Sequence, residues 1–118
     1  MAKRIVDKLV RDKILHNLHE QGKVVKYRHL EDDTEKKHKM IEKLGEKYKE
    51  LFESLIRANG KDVDTDGITD NIADMLEVMN KIAKLRGINL TTVMERKKQK
   101  LDEKGGYDKW TYIHHIEE

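Results

Sequence analysis

Apolar residues recur along most of this chain at the three-and-four spacing that lines one side of a helix. In the first such segment, about Lys8 to Glu20, Leu9, Ile14, Leu15 and Leu18 carry the period and Gly22 is the stop. A longer segment starts near Glu35 behind the acidic link Glu31-Asp32-Asp33-Thr34, which supplies an N-cap. Its stripe is Ile41, Leu44, Tyr48, Leu51, Phe52 and Leu55, and Asn59-Gly60 end it. A third helix carries Ile68, Ile72, Met75, Leu76, Met79, Ile82 and Ala83 up to Gly87, and a fourth runs from about Leu90 to Lys104 on the sparser Val93, Met94 and Leu101. Two runs break the helical period. Residues 24–29 are β-branched and partly alternating, and Trp110-Thr111-Tyr112-Ile113 looks similar, so a pairing of 24–29 with 110–114 is expected. The pattern predicts an all-α four-helix bundle carrying a small two-stranded β ribbon.

Composition narrows this picture. A chain of 118 residues suits one domain, 1–118, and the lack of Pro with only 7 Gly favours long helices. The 25 Lys and Arg nearly cancel the 23 Asp and Glu, leaving +2, which argues against a nucleic-acid partner. Without Cys there is no disulfide or thiol chemistry, and a reducing, cytoplasmic setting is expected. No apolar run approaches the ~20 residues of a membrane span, and the first residues lack a signal peptide's apolar stretch, so no membrane partner is expected.

Most polar features have a plain reading. His16 and His19 share a helix without a third ligand in sight, and His114 and His115 would point to opposite faces of a strand. The loop Lys61-Asp62-Val63-Asp64-Thr65-Asp66-Gly67 has incomplete Asp spacing for a calcium loop and no Glu at the twelfth position. The run 95–100, Glu-Arg-Lys-Lys-Gln-Lys, reads as a solvated helix face, with phosphate contact as the other use of its cations.

The two long helices hold something sharper. At ~100° per residue, Lys43, Lys47, Glu50 and Ser54 form a strip beside the apolar stripe of the second helix, and Asn71, Asp74, Val78 and Lys81 form the corresponding strip on the third. These strips can face each other. Acids three apart on adjacent helices are how a bundle holds divalent cations, yet here each pair keeps only its second acid.

Four blocks, in order, resemble a known family: Lys8-Leu9-Val10-Arg11-Asp12-Lys13-Ile14, then residues 43–50 around Glu46 and Glu50, residues 71–78 around Asp74, and Lys104-Gly105-Gly106-Tyr107. They look like a short branch of the MazG-like nucleotide pyrophosphohydrolases, relatives of phosphoribosyl-ATP pyrophosphohydrolase. The resemblance implies an all-α oligomer that uses Mg²⁺ to split the α–β anhydride of nucleotides. It also implies four acidic metal ligands, of which only Glu50 and Asp74 are present; Lys47 and Asn71 stand where the other two glutamates are expected.

Three readings of that departure compete. Glu46 with Glu50 and Asp70 with Asp74 would supply substitute i, i+4 pairs if each helix turned by ~50°. Alternatively, Mg²⁺ binds through Glu50, Asp74, waters and the nucleotide's phosphates, against a repulsion from Lys47 of about 6 kcal/mol at ~5 Å and an effective dielectric near 20. In the third and preferred reading, the Lys47 ammonium takes the metal's place between Glu50 and Asp74 while Asn71 completes the hydrogen bonding.

By the resemblance, Lys8, Arg11 and Lys13 contact phosphate and Tyr107 or Trp110 lies against a base. The plainer alternatives are surface pairing of those cations with Asp7 and Asp12, and packing of Trp110 onto the helices. The expected function is binding of a nucleotide or nucleotide-derived signal with impaired catalysis, as a sequestering or sensing homodimer or homotetramer that needs no cofactor. In a phage or mobile element such a protein would absorb a host defence signal. The rival is an active Mg²⁺-dependent nucleoside triphosphate pyrophosphohydrolase.

Overall fold

The computed structural model describes residues 3–58 and 65–117. Four helices follow one another: α1 (Asp12–Glu20), α2 (Asp33–Arg57), α3 (Thr65–Leu85) and α4 (Leu90–Lys104). Their ends are set locally. The Asp32 carboxylate accepts from the Glu35 backbone N–H at 2.9 Å, and the Asn89 side-chain oxygen accepts from Thr91 N–H at 2.8 Å, each satisfying a donor of the first helical turn. At the other end of α3, Gly87 takes a positive φ of 70°, which lets Ile88 N–H reach back to the Ala83 carbonyl at 2.8 Å. Gly22 closes α1 in the same way, with Lys23 N–H on the Leu18 carbonyl. α1 begins four residues later than its periodicity predicts, because Arg11 is extended (ψ 152°) and Lys8 to Arg11 run along α2 and α3 instead.

α2 and α3 form an antiparallel hairpin. Cross-helix contacts run in reverse order, Lys47 with Asp74 and then Glu50 and Ser54 with Asn71. Among the described residues α4 touches only α3, and α1 packs on no other helix. The expected closed four-helix bundle is therefore not formed within one chain. A radius of gyration of 19.3 Å, against about 13–14 Å for a compact chain of this length, expresses the same openness.

The expected β ribbon is also absent: the described residues contain no strand, and both 24–29 and 110–114 are irregular. Extended propensity alone makes no sheet, because an isolated two-stranded ladder is marginal in water. The second run is further broken at its first residue. Trp110 has φ 53° and closes a turn onto the Tyr107 carbonyl, a conformation no strand can start from. Each run instead makes the i, i+2 ring contact that an extended chain allows, Tyr27 on His29 at 5.5 Å and Tyr112 on His114 at 5.0 Å, and Tyr27 also meets the edge of His19 in α1 at 6.3 Å. The segment carrying Tyr27 is held at its end by Arg28, which donates two bonds to Glu35 in the first turn of α2, at 2.8 and 2.7 Å.

Which faces meet decides everything else. The seam of the hairpin is made by the polar strip Lys43, Lys47, Glu50 and Ser54 against Asn71, Asp74 and Val78, whereas the stripe residues Ile41, Tyr48, Leu55, Ile72, Leu76 and Met79 are exposed. Only Met40, Val78 and Ala83 are buried among the described apolar residues. One residue further along each helix turns the side chain by about 100°, and in an antiparallel pair that rotation carries both stripes to the same side. The hairpin thus presents one apolar face two helices wide.

Candidate functional site

The polar seam is built from i, i+3 and i+4 positions. On α2, Lys43, Glu46, Lys47, Glu50 and Ser54 follow one flank; on α3, Asn71 and Asp74 lie one turn apart and face them. At the centre, the Lys47 Nζ lies 3.4 Å from Glu50 Oε2 and 3.6 Å from Asp74 Oδ2, with its side chain only 20 % exposed. The other oxygen of Asp74 accepts from Arg11 at 2.8 Å. One lysine thus bridges two helices, and Asp74 carries the N-terminal segment as well.

Asn71 departs from the expected arrangement. Its amide nitrogen donates to the Glu50 backbone carbonyl at 3.3 Å and to Ser54 Oγ, so it binds the α2 backbone rather than the carboxylates around Lys47. This is a helix-to-helix clamp, since a carbonyl inside α2 keeps a spare lone pair that a cross-helix donor can use. A second cluster lies one turn towards the N-terminus of α2. Glu46 accepts from Lys43 at 2.9 Å and pairs with Lys8 at 3.5 Å. The Lys43 hydrogen bond, with smaller help from the charges of Lys43, Lys8 and Lys47, outweighs partial burial and holds the Glu46 carboxyl below its ordinary value.

Mg²⁺ does not fit these residues. The space between Glu50 and Asp74 is taken by an ammonium, and Glu46 is held by two lysines. Asp70 is exposed and outside the seam, so the substitute pair with Asp74 does not converge with Glu46 and Glu50. No group of three or more His, Cys, Asp or Glu side chains among the described residues is arranged to hold a metal ion.

The remaining candidates are scattered. Lys8 and Arg11 reach the seam through its acids, with Arg11 61 % exposed in its side chain. Lys13 lies in the first turn of α1, exposed, and pairs with no acid among the described residues. Tyr107 and Trp110 are 92 % and 87 % exposed, so they pack on neither helix of the hairpin and the structure does not bring them to the cluster. The expectation that Trp110 packs a ribbon onto the helices fails for the same reason. The Asp-rich loop before α3 falls largely on residues 59–64, outside the described residues. Periodicity places Ser54 and Lys43 in the seam strip, and i, i+3 spacing signals the pairing of Lys43 with Glu46, but nothing in the sequence signals that Ser54 meets Asn71.

No family profile, curated protein or solved structure matches this chain. The residues must speak for themselves. They give a seam in which four cations, Lys8, Arg11, Lys43 and Lys47, neutralise three carboxylates, Glu46, Glu50 and Asp74.

The lowered Glu46 carboxyl makes a pH prediction. Its contribution to stability is fully present above the unfolded-state value near 4.5 and is lost as pH falls through the lower folded value. In chemical denaturation from pH 7 to 3, Glu46→Gln should remove part of the acid loss below pH 4.5 while wild type keeps it. An unchanged acid limb in the variant would show that Lys43 and Lys8 do not hold Glu46 in solution.

Proposed function

We propose that this protein binds the phosphate part of a nucleotide or nucleotide-derived signal at the Lys8, Arg11 and Lys47 cluster, without a metal and without splitting it. The observation that carries the reading is the Lys47 ammonium between Glu50 and Asp74, where a metal-dependent pyrophosphohydrolase of the resembled kind would need a divalent cation. An ammonium supplies charge but neither a Lewis acid nor a water activated at neutral pH. Hydrolysis then has no fast route. Lys8 and Arg11 lie at the exposed edge of the seam, where each can exchange a carboxylate for a phosphate oxygen, and the Arg fork suits a bidentate contact.

The protein acts in this reading as a cytoplasmic sequestering or sensing protein, and a chain of this kind in a phage would remove a host defence signal. It works as a homodimer or a homotetramer. What supports the assembly is the apolar face of the hairpin. Six side chains, Ile41, Tyr48, Leu55, Ile72, Leu76 and Met79, are each about half exposed, so at roughly 180 Å² per large side chain they offer about 600 Å² per subunit. A standard interface takes about 800 Å² per partner, and the three apolar residues buried among the described ones make a small core for a free-standing fold.

Two measurements check these statements. Purified protein incubated with a panel of nucleotides and Mg²⁺ or Mn²⁺ should yield no pyrophosphate, and in EDTA it should retain a nucleotide that mass spectrometry recovers intact. Robust turnover to monophosphate and pyrophosphate would overturn the reading in favour of the hydrolase, and no binding of any nucleotide would leave a helical structural protein. Sedimentation equilibrium should give at least twice the 13.9 kDa chain mass, falling towards one chain in Tyr48→Glu. A stable, folded wild-type monomer at micromolar concentration would contradict the assembly.

A further inference from the structure

Past α4 the chain carries an arm that its own fold does not use. Gly105, at φ 81°, donates its N–H to the Leu101 carbonyl and ends the helix, and Trp110, at φ 53°, turns the chain again. From Trp110 to Ile116 there is no Asp, Glu, Lys or Arg, yet Trp110, Tyr112, Ile113 and Ile116 are between 67 and 87 % exposed. The side chains of this arm sort by side. The ring contact of Tyr112 with His114 at 5.0 Å and the approach of His115 Nε2 to Glu117 at 3.5 Å both join residues i and i+2, as an extended backbone does. Tyr112, His114 and Ile116 therefore share one side, with Trp110 at the corner where the arm begins.

The arm matches the uncovered face of the hairpin in chemistry and in length. Extended, Trp110 to Ile116 spans about 20 Å, and Ile41 to Leu55 covers about 21 Å of α2. Its own hairpin is not where it lies. Among the described residues α4 touches only α3, and the arm leaves from the far end of α4, about 22 Å along that helix from the α3 turn. The other exposed apolar run, Ile5, Val6 and Val10, is committed elsewhere, because Lys8 ties it to Glu46, about 160° around α2 from Tyr48.

Area decides how two copies would use these surfaces. Face against face, each subunit buries at most about 600 Å², short of the about 800 Å² that a standard interface takes from each partner. At roughly 180 Å² per large side chain, Trp110, Tyr112 and Ile116 offer about 400 Å² more, and an arm that buries this much covers a like area of the face beneath it. When each subunit gives an arm and receives one, it buries about 800 Å², and a two-fold axis closes the pair with no arm left over.

We propose that residues 107–117 form an exchanged arm, which in the homodimer lies along the apolar face of the other copy's hairpin with Trp110, Tyr112 and Ile116 turned towards that copy's Tyr48, Ile72 and Leu76. The arm rests on the homodimer inferred from that face and says what covers it.

Two experiments on the full chain test the exchange. Trp110 is the one tryptophan of the chain, so its fluorescence reads the arm alone. In a dilution series followed in parallel by sedimentation, its emission should be blue-shifted and shielded from iodide in the dimer, and should move to the solvent-exposed value as the dimer dissociates and in Tyr48→Glu. Trp110→Ser should weaken the dimer about tenfold or more with unchanged helix content, as loss of a buried interface tryptophan does. Because the chain has no Cys, co-expressed Leu76→Cys and Tyr112→Cys chains report the geometry directly: on mild oxidation the mixed disulfide between the two chains should exceed both symmetric ones. A dimer whose Trp110 stays solvent-exposed, or one that yields chiefly the Leu76→Cys symmetric product, would overturn the arm and leave the homodimer standing. A monomer at every concentration would remove the homodimer and the arm together, and a monomer with Trp110 shielded would show the arm folded onto its own hairpin.

Discussion

The contact between Lys47 and its two carboxylates organises this molecule. Glu50 belongs to the same helix and Asp74 to the next, so one ammonium both neutralises a pair of converging acids and sets the register of the α2/α3 hairpin. Two negative groups facing each other across a helical seam need a cation. Lys47, with a side chain only 20 % exposed, supplies that cation here, and its apolar stem can lie along the seam. Arg11 on the other oxygen of Asp74 then ties the N-terminal segment to the same point, and Asn71 clamps the α2 backbone one turn away. Chemistry and architecture are thus linked: the residues that preclude a metal centre are also those that hold the hairpin together.

The same seam explains the exposed apolar face. A helix has limited circumference, and once the strip through Lys47 and Glu50 meets Asn71 and Asp74, the stripe through Tyr48 and Leu55 cannot also lie between the helices. Among the described residues nothing covers this stripe. At about 25 cal/mol per Å², covering that face is the largest hydrophobic gain left open to the hairpin, and the proposed assembly rests on it.

Much of this was legible from residues. Helical periodicity located α2, α3 and α4, Asp32 was identifiable as part of a cap, and Gly22 and Gly87 as stops, because each of these signals acts within one or two turns. The strips that meet at the seam followed from 100° per residue alone, and so did the neighbourhood of Lys47, Glu50 and Asp74. What failed required long-range information. The ribbon rested on β-branched and aromatic composition, which records a preference for extended backbone but not whether a partner strand comes near, and the left-handed turn at Trp110 left no sequence signal. Asn71 was read as a carboxylate partner because its neighbours are acids; the Glu50 carbonyl and Ser54 hydroxyl lie closer in space than sequence spacing reveals. Tyr107 belongs to a resembling block that ends just past α4 and Trp110 lies beyond that block, and no local rule says where such a segment goes.

The claim that Lys47 stands in for a metal is tested most directly by calorimetric titration of Mg²⁺ into nucleotide-free protein, comparing wild type with Lys47→Glu/Asn71→Glu. The account predicts no saturable heat for wild type and saturable binding for the double variant, whose four acids would then line the seam. Saturable Mg²⁺ binding by the wild-type protein would contradict it.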